Sequence, residues 1–239
     1  MSVVNLSKQT INLSKGQTIN LSKDNSGLNK VMIGLGWDEN KGQMRTETYI
    51  KEPGFLGKLF GAKPQEVTRA VYKKSDADYD LDAWLYVVDS NKREYNMDMS
   101  NLLYYGNKHL NKSKGELAWH HGDNLTGAGE GDDEQMSLTL NNIPSEYNEV
   151  LVGVTIYRGW DRNQTFGDID NIFVRVVDER DNFEICRYES RDVSNEYKDC
   201  YSFIVGKFIR QGSDWEFKSI GKGTRDKDIG DAVRNNASM

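Results

Sequence analysis

The chain has 239 residues, with 31 Lys and Arg against 37 Asp and Glu and a formal net charge of −6. This acidic balance argues against a nucleic-acid partner, because a phosphate backbone is bound by clustered Lys and Arg. No stretch approaches the roughly 20 apolar residues of a membrane-spanning helix, and the start lacks the pattern of a secretory signal. We therefore expect a cytoplasmic protein in which Cys186 and Cys200 are free, mostly buried thiols.

A short unit repeats at the N-terminus: Val-Asn-Leu-Ser-Lys at 4–8 recurs as Ile-Asn-Leu-Ser-Lys at 11–15 and at 19–23. Apolar and polar residues alternate within each unit, which is the pattern of a half-buried strand. Gly16 lies in a segment typical of a short turn between two such strands. We expect short strands here, and the alternative is a frayed N-terminal tail.

Strand-like segments rich in β-branched and aromatic residues follow along the chain. They cover 30–35, 69–73, 81–88, 135–140, 150–157, 172–177, 183–188, 201–208 and 215–220. Helical patterning is limited to one turn over 166–171 and a C-terminal helix over 226–235. The expected fold class is all-β, a sandwich of two mainly antiparallel sheets with few short helices and one long inserted loop. We expect a single domain over 1–225, with 39–75 as the inserted loop, and a C-terminal helix or tail over 226–239.

The insert over 39–75 differs from the rest of the chain because it is more basic and contains a small apolar cluster between Pro53 and Pro64. The cluster consists of Phe55, Leu56, Leu59 and Phe60. One helical turn would collect these side chains on one side. They either pack onto the sandwich of their own chain or form a docking element for a partner protein or a membrane surface, which the neighbouring lysines favour.

Two segments concentrate hard oxygen ligands. In the first, Asp78, Asp80 and Asp82 share one face at the entry to a strand, while the apolar residues between them share the other face. The second, 122–134, combines acidic side chains with glycines that allow the backbone to fold back. Calcium takes about six to eight oxygen ligands in flexible geometry, so a Gly-rich acidic loop fits it better than magnesium. The alternative is a solvated acidic turn.

Other kinds of site fit the sequence less well. Neither acidic segment follows the EF-hand register, since Leu81 stands where that loop needs Gly and Leu125 where it needs an acid. Zinc is disfavoured because only two cysteines and three histidines could supply softer ligands. We interpret His120 and His121 as a solvent-exposed pair, with an acid–base role as the alternative. No nucleophile lies in a Gly-x-Ser-x-Gly frame, so we expect no enzyme and identify no small-molecule substrate.

Four segments resemble the TerD-type tellurium-resistance and stress-protein family. They are Val-Met-Ile-Gly-Leu-Gly-Trp-Asp at 31–38, Asp-Tyr-Asp-Leu-Asp-Ala at 78–83, the acidic stretch at 121–134 and Asn-Gln-Thr-Phe-Gly-Asp-Ile-Asp-Asn-Ile-Phe-Val-Arg-Val at 163–176. The order matches, and the resemblance extends from the N-terminus to about Gly221. It implies a β-sandwich, a cytoplasmic location in bacteria, and calcium binding through the two acidic segments. The family is tied to resistance to tellurite, phage, colicin and other stresses.

The resemblance also implies a set of calcium ligands, position by position. Asp78 and Asp80 match the first acidic motif; the second is matched by Asp123, Asn124, Glu130, Asp132, Asp133 and Glu134, with the carbonyls of Thr126, Gly129 or Gly131 as further ligands. The chain departs from the family pattern at Trp84, where Ser usually follows the first motif.

We therefore expect a non-enzymatic, calcium-binding module of a bacterial stress or tellurite-resistance system. Its partners would be other proteins of a stress-resistance assembly, with the membrane surface as one place of assembly. The alternative is a calcium-dependent membrane- or ligand-binding β-sandwich in the manner of a C2 domain, and a hydrolytic metal enzyme is the third choice.

Overall fold

The computed structural model describes residues 9–22, 27–38, 43–55, 59–73, 79–89, 97–122, 131–169, 171–191 and 196–239. They form two compact units, one of Met1–Glu39 with Tyr79–Met239 and a smaller one of Asn40–Asp78. Within the described ranges no helix is long and apolar enough to cross a membrane.

The larger unit consists of two sheets, and this confirms the predicted β-sandwich with few helices. The first sheet has the spatial order β1 (Ile11–Leu13), β13 (Phe183–Arg191), β12 (Asn171–Asp178), β3 (Lys30–Trp37), β10 (Glu134–Thr139), β9 (Gly115–His120) and β8 (His109–Lys112). The second has the order β2 (Thr18–Asn20), β15 (Asp214–Thr224), β14 (Ser202–Gln211), β11 (Tyr147–Ile156), β6 (Leu81–Asp89) and β7 (Leu102–Leu103). Neighbouring strands are antiparallel except β1 and β13, which are parallel.

Strand β6 shows how alternation positions side chains on both faces of the second sheet. The apolar row that the sequence places opposite the aspartates enters the large cluster between the sheets: Tyr79, Leu81, Ala83 and Leu85, with Val87 continuing it. The intervening Trp84, Tyr86 and Val88 are also buried, in a smaller cluster on the outer face of the same sheet. Both faces of β6 are therefore covered.

Helix α2 (Ile229–Asn236) covers this outer face, where Ile229, Ala232 and Val233 join the cluster around Trp84. It begins after Asp228, whose carboxylate accepts a hydrogen bond from the backbone N–H of Asp231 at 2.8 Å, as an N-cap does. The predicted C-terminal helix is thus confirmed. The other short elements are the single helical turn α1 (Gly159–Arg162) and 3-10 turns at Met99–Asn101, Leu140–Asn142 and Phe166–Asp168.

Trp84, the departure from the family pattern, fits because its partner strand leaves space for it. A Cβ at Gly153 on β11 would lie 2.2 Å from the Trp84 ring, so only glycine allows this close approach. The indole N–H donates to the Thr155 hydroxyl at 3.0 Å. The ring is therefore buried with its polar group satisfied.

The N-terminal repeats form strands, but the two strands do not pair with each other. β1 adds to the first sheet beside β13, while β2 adds to the second beside β15. Between them Gly16 has φ +81°, a left-handed conformation that favours glycine in a turn. The repeat over 4–8 lies outside the described residues.

The smaller unit differs from the irregular loop expected from its composition. Its strands β4 (Gln43–Lys51) and β5 (Gln65–Lys73) form a two-stranded antiparallel sheet. The pairing suits its β-branched and aromatic residues: the Thr48 and Thr68 hydroxyls lie 3.2 Å apart, and Arg69 stacks over Tyr49. The insert is thus a hairpin, and only its tip carries the apolar cluster.

Candidate functional site

The first residues of β6 and β10 approach each other between the two sheets. The ends of the two acidic segments lie at the same place. The backbone N–H of Ala83 on β6 donates to Oε2 of Glu134 on β10 at 2.6 Å. The Ala83 N–H points away from β11. On that side of β6, strand β7 pairs only with Leu85 and Tyr86, so it does not reach Ala83. The buried Glu134 carboxylate therefore satisfies a strand N–H across the sandwich.

The consecutive carboxylates from Asp132 to Glu134 point in different directions. Gly131 has φ +106°, which turns the chain into β10. The Asp133 backbone N–H donates to the Leu35 carbonyl, and its carboxylate Oδ2 accepts the backbone N–H of Trp37, both at 2.8 Å. Asp133 is thereby held at the end of β3.

Asp132 is engaged by Arg175 of β12 in a two-pronged ion pair, with guanidinium–carboxylate distances of 2.7 and 2.8 Å. Gln135 adds a third hydrogen bond at 3.0 Å. The carboxylate is fully buried, and it occupies the space that a Cβ at Gly34 would fill. The hydrogen bond to Asp132 is the main reason why the pKa of Arg175 is raised. A metal ion would therefore have to displace a bidentate Arg from this carboxylate.

His120 is not the exposed residue expected from sequence. It is buried, and its Nε2 lies 3.6 Å from Oε2 of Glu134. Neither ring nitrogen has a hydrogen-bond partner among the described residues. On β9 it lies opposite the buried Met136 of the neighbouring strand and points inward, while His121 is exposed. The local sequence shows no sign of this burial, since a second histidine, a glycine and an aspartate follow it.

The first acidic segment is joined to the segment over 163–176 that carries the family resemblance. The Tyr79 hydroxyl donates to Oδ2 of Asp168 at 2.6 Å. Burial, reinforced by this hydrogen bond, raises the pKa of Tyr79 well above its usual range. The neighbouring Asp80 uses its carbonyl to accept the backbone N–H of Tyr157 at 2.8 Å. Sequence reasoning did not identify Asp168, because its partner lies about ninety residues earlier in the chain.

The structure brings part of the predicted ligand set together. Asp80 precedes β6, and Gly131, Asp133 and Glu134 lead into β10, at the place where the two sheets are bridged. Six predicted ligands lie outside the described residues: Asp78, Asp123, Asn124, Glu130 and the carbonyls of Thr126 and Gly129. Among the residues that are described, no group of three or more His, Cys, Asp or Glu side chains is arranged to hold a metal ion. The described donors are hard oxygens anchored by strand N–H groups, which suits calcium better than a softer ion.

The predicted docking residues lie at the tip of the β4–β5 hairpin. Phe55, Leu59 and Phe60 are 82%, 69% and 83% exposed, and Leu56 lies outside the described residues. The cationic Lys51 and Lys63 are close to them in sequence. Large apolar side chains with this exposure are typical of contact surfaces.

Comparison with known proteins identifies the family of this chain. The sequence model of the TerD domain matches residues 9–235. The chain is 36% identical to stress response protein SCP2 of Bacillus subtilis over 93% of this chain and 97% of that protein. It is 32% identical to tellurium resistance protein TerX of Serratia marcescens over 95% of this chain and 99% of that protein.

A solved structure shares the fold. It is described as a homologue of telluride resistance protein (TerD) from Streptomyces coelicolor A3(2), and it superposes with a TM-score of 0.55 at 18% identity, over 89% of this chain and 99% of that one. At this identity the likeness concerns the fold alone. The match of the domain model over nearly the whole chain shows that this protein belongs to the TerD family.

Proposed function

We propose that this protein is a cytoplasmic, non-enzymatic, calcium-binding module that docks partner proteins in a bacterial stress or tellurite-resistance system. The observation that carries the proposal is the bridge between the two acidic segments, in which Glu134 of β10 accepts the N–H of Ala83 on β6. Relatives named as tellurium resistance and stress proteins support the biological setting.

Asp133 and Glu134 are the described carboxylates best suited to calcium. Each is held by a backbone N–H of another strand, Trp37 for Asp133 and Ala83 for Glu134. This anchoring lowers the entropy that ordering would cost when an ion binds. The predicted ligands Asp78, Asp80, Asp123, Asn124 and Glu130 would complete the oxygen shell. Asp132 is the least suited because Arg175 already neutralises it.

Calorimetric titration with calcium tests the proposal. We expect heat of binding with calcium and much weaker binding of magnesium, because a flexible oxygen-rich loop suits the larger ion. Calcium at a hundredfold excess over its Kd should stabilise the fold by about 2.7 kcal/mol, and EDTA should remove this gain. Equal heats from the two ions would contradict the proposed selectivity.

Single Asp→Asn substitutions separate ligation from packing. Asp133→Asn keeps an oxygen that can accept the Trp37 N–H, so it should remove the calcium-dependent rise in melting temperature while the metal-free protein stays folded. Asp132→Asn should lower the melting temperature equally with and without calcium, because it weakens the pair with Arg175. The exposed Asp199→Asn serves as the matched control. If the calcium-dependent rise in melting temperature remains in Asp133→Asn, Asp133 is not a calcium ligand.

The hairpin tip supports docking, and it also favours the second candidate, a calcium-dependent membrane-binding sandwich. The exposed Phe55 and Phe60 beside Lys51 and Lys63 suit either an acidic protein or an anionic bilayer. Pelleting with phosphatidylserine vesicles, with and without calcium, distinguishes the two. The Phe55→Ser, Phe60→Ser variant should lose protein partners and leave pelleting unchanged if docking is to protein. Trp119→Ser, an exposed aromatic residue of the larger unit, is the control.

A further inference from the structure

A cavity of about 380 Å³ opens on the outer side of the second sheet, beside the start of helix α2. It lies within the larger unit, and none of its lining residues is a proposed calcium ligand. Its wall carries four aromatic side chains: Tyr104, Tyr105, Tyr157 and Trp160. Its base includes Asp82 and Thr155, which are 4% and 2% exposed.

The aromatic wall is ordered by ring contacts. Tyr105 meets Tyr104 edge to face at a centroid distance of 5.0 Å and meets Tyr157 in the same way at 5.9 Å. Trp160 meets Tyr201 edge to face at 5.5 Å. Such contacts limit the number of side-chain conformations, so the wall is largely formed before any ligand arrives.

Trp160 lies on a short segment that is flanked by two residues in the left-handed backbone conformation. Its short helix α1 lies between Arg158 and Asn163, which have φ +52° and +53°, and neither residue is glycine. Left-handed conformations of this kind are unfavourable for residues other than glycine, and they recur at binding sites. The resulting Trp160 side chain remains 53% exposed at the mouth of the cavity.

An ammonium group already lies against this wall. Nζ of Lys227 is 3.5 Å from the centroid of the Trp160 ring, well inside the distance at which an aromatic face attracts a cation. Arg158 is paired with Asp161 at 3.2 Å, and Arg162 lies over the neighbouring Tyr157 ring at 5.4 Å. The Trp160 face thus contacts a positively charged nitrogen, which Lys227 of the same chain supplies.

The base of the cavity favours positive charge as well. Asp82 places a carboxylate where water has little access, and charges interact more strongly in such surroundings than in bulk water. The Thr155 hydroxyl is held by Trp84 Nε1 and Ser202 Oγ, both at 3.0 Å. An anion would meet both this carboxylate and the negative faces of the aromatic rings, whereas an organic cation is attracted by both.

We propose that the cavity binds a small organic cation with an ammonium or guanidinium group. The ligand displaces the Lys227 ammonium from the Trp160 face and extends toward the Asp82 carboxylate. Lys227 acts as an internal occupant that weakens binding until it is displaced. The same group could come from a free small molecule or from a Lys or Arg side chain of a peptide, and the shared chemistry is the positively charged nitrogen.

Titration with tetramethylammonium and with agmatine, followed by NMR of the tryptophan indole N–H signals, tests the proposal. Trp160→Leu assigns the Trp160 signal by its loss. We expect tetramethylammonium to shift that signal in a saturable manner at constant ionic strength. The neutral tert-butanol, which has a similar shape, should shift it at least tenfold less. An equal response to tert-butanol or to added NaCl would overturn the proposal.

Variants identify the residues responsible. Trp160→Leu, at a half-exposed position that should not disturb folding, is expected to weaken tetramethylammonium binding, measured by ligand-observed NMR, at least tenfold. Lys227→Met removes the internal ammonium and is expected to tighten binding several-fold. Trp119→Leu on the first sheet is the matched control and should leave the affinity unchanged. Unaltered binding in Trp160→Leu, or no gain in Lys227→Met, would refute the assignment.

A last comparison distinguishes the two sources of the cation. If a short Lys- and Arg-containing peptide binds more tightly than agmatine, the cavity recognises a protein side chain. If agmatine binds as tightly as the peptide, the ligand is a free small molecule. If neither binds, the proposal is wrong.

Discussion

The two compact units use the same apolar residue types in opposite ways. In the larger unit Phe166 and Phe208 are fully buried between the sheets, whereas Phe55 and Phe60 at the hairpin tip are more than 80% exposed. An apolar ring stabilises a fold only if folding removes it from water. Aromatic residues therefore mark the core in one unit and a contact surface in the other, and composition alone does not distinguish them.

The units also differ in charge. Residues 40–78 carry eight Lys and Arg against five Asp and Glu, a formal charge of +3, so the rest of the chain carries −9. A basic hairpin suits an acidic partner, while the acidic remainder suits cations. The same contrast should make partner binding through the hairpin sensitive to salt.

The largest effect is expected for truncation in the sandwich core. Phe208→Ala should lower the free energy of unfolding by about 3–5 kcal/mol, because it removes a fully buried ring that packs on Phe217 at 5.0 Å and leaves a cavity. Urea denaturation monitored by circular dichroism measures the change. A loss below about 1 kcal/mol would mean that the core is much looser than its burial indicates.

The next effect concerns the buried ion pair near the acidic segment. Arg175→Met should cost roughly 3 kcal/mol in EDTA, because it leaves the Asp132 carboxylate buried without its cation. Adding Asp132→Asn to this variant should recover much of the loss, since the uncompensated charge disappears. If the double variant is as unstable as the single one, the pair acts through packing and not through charge.

A smaller, pH-dependent effect is expected at Cys186. Burial raises the pKa of its thiol from 9.0 to about 12. The unfolded thiol ionises first as the pH rises, so the stability from burying the neutral thiol is complete below pH 9 and is lost between pH 9 and about 12. The wild type should therefore lose up to about 1.4 kcal/mol per pH unit above pH 9 relative to Cys186→Ala. Parallel pH profiles of the two proteins in urea denaturation would contradict this.

The smallest effect on stability is expected at the hairpin tip. Phe60→Ala makes the same chemical change as Phe208→Ala but at a position that is already exposed, so the free energy of unfolding should change by no more than about 0.5 kcal/mol. Differential scanning calorimetry of the two variants compares the units directly. A large loss in Phe60→Ala would mean that the tip packs against its own chain, the alternative left open by the sequence.

Several features of this protein were determined by local sequence. The alternation in β6 predicts which of its residues enter the main core, Asp228 begins the C-terminal helix as an N-cap, and Gly16 makes the turn between the first two strands. These features depend on residues a few positions apart, whose geometry follows from the backbone period and from side-chain hydrogen bonds. Local patterns therefore predicted the fold class and most of its strands.

Other features were decided only by the tertiary structure. The identical Ile-Asn pairs of β1 and β2 join opposite sheets, His120 turns inward, and Asp132 meets Arg175 across 43 positions of sequence. In the same way Trp84 depends on the absence of a side chain at Gly153. Each of these results depends on which distant strands become neighbours, because burial and charge pairing are set by the groups that lie opposite in space. The residues next to each of them in sequence do not indicate the distant partner. The role of each residue is therefore determined only in the assembled sandwich.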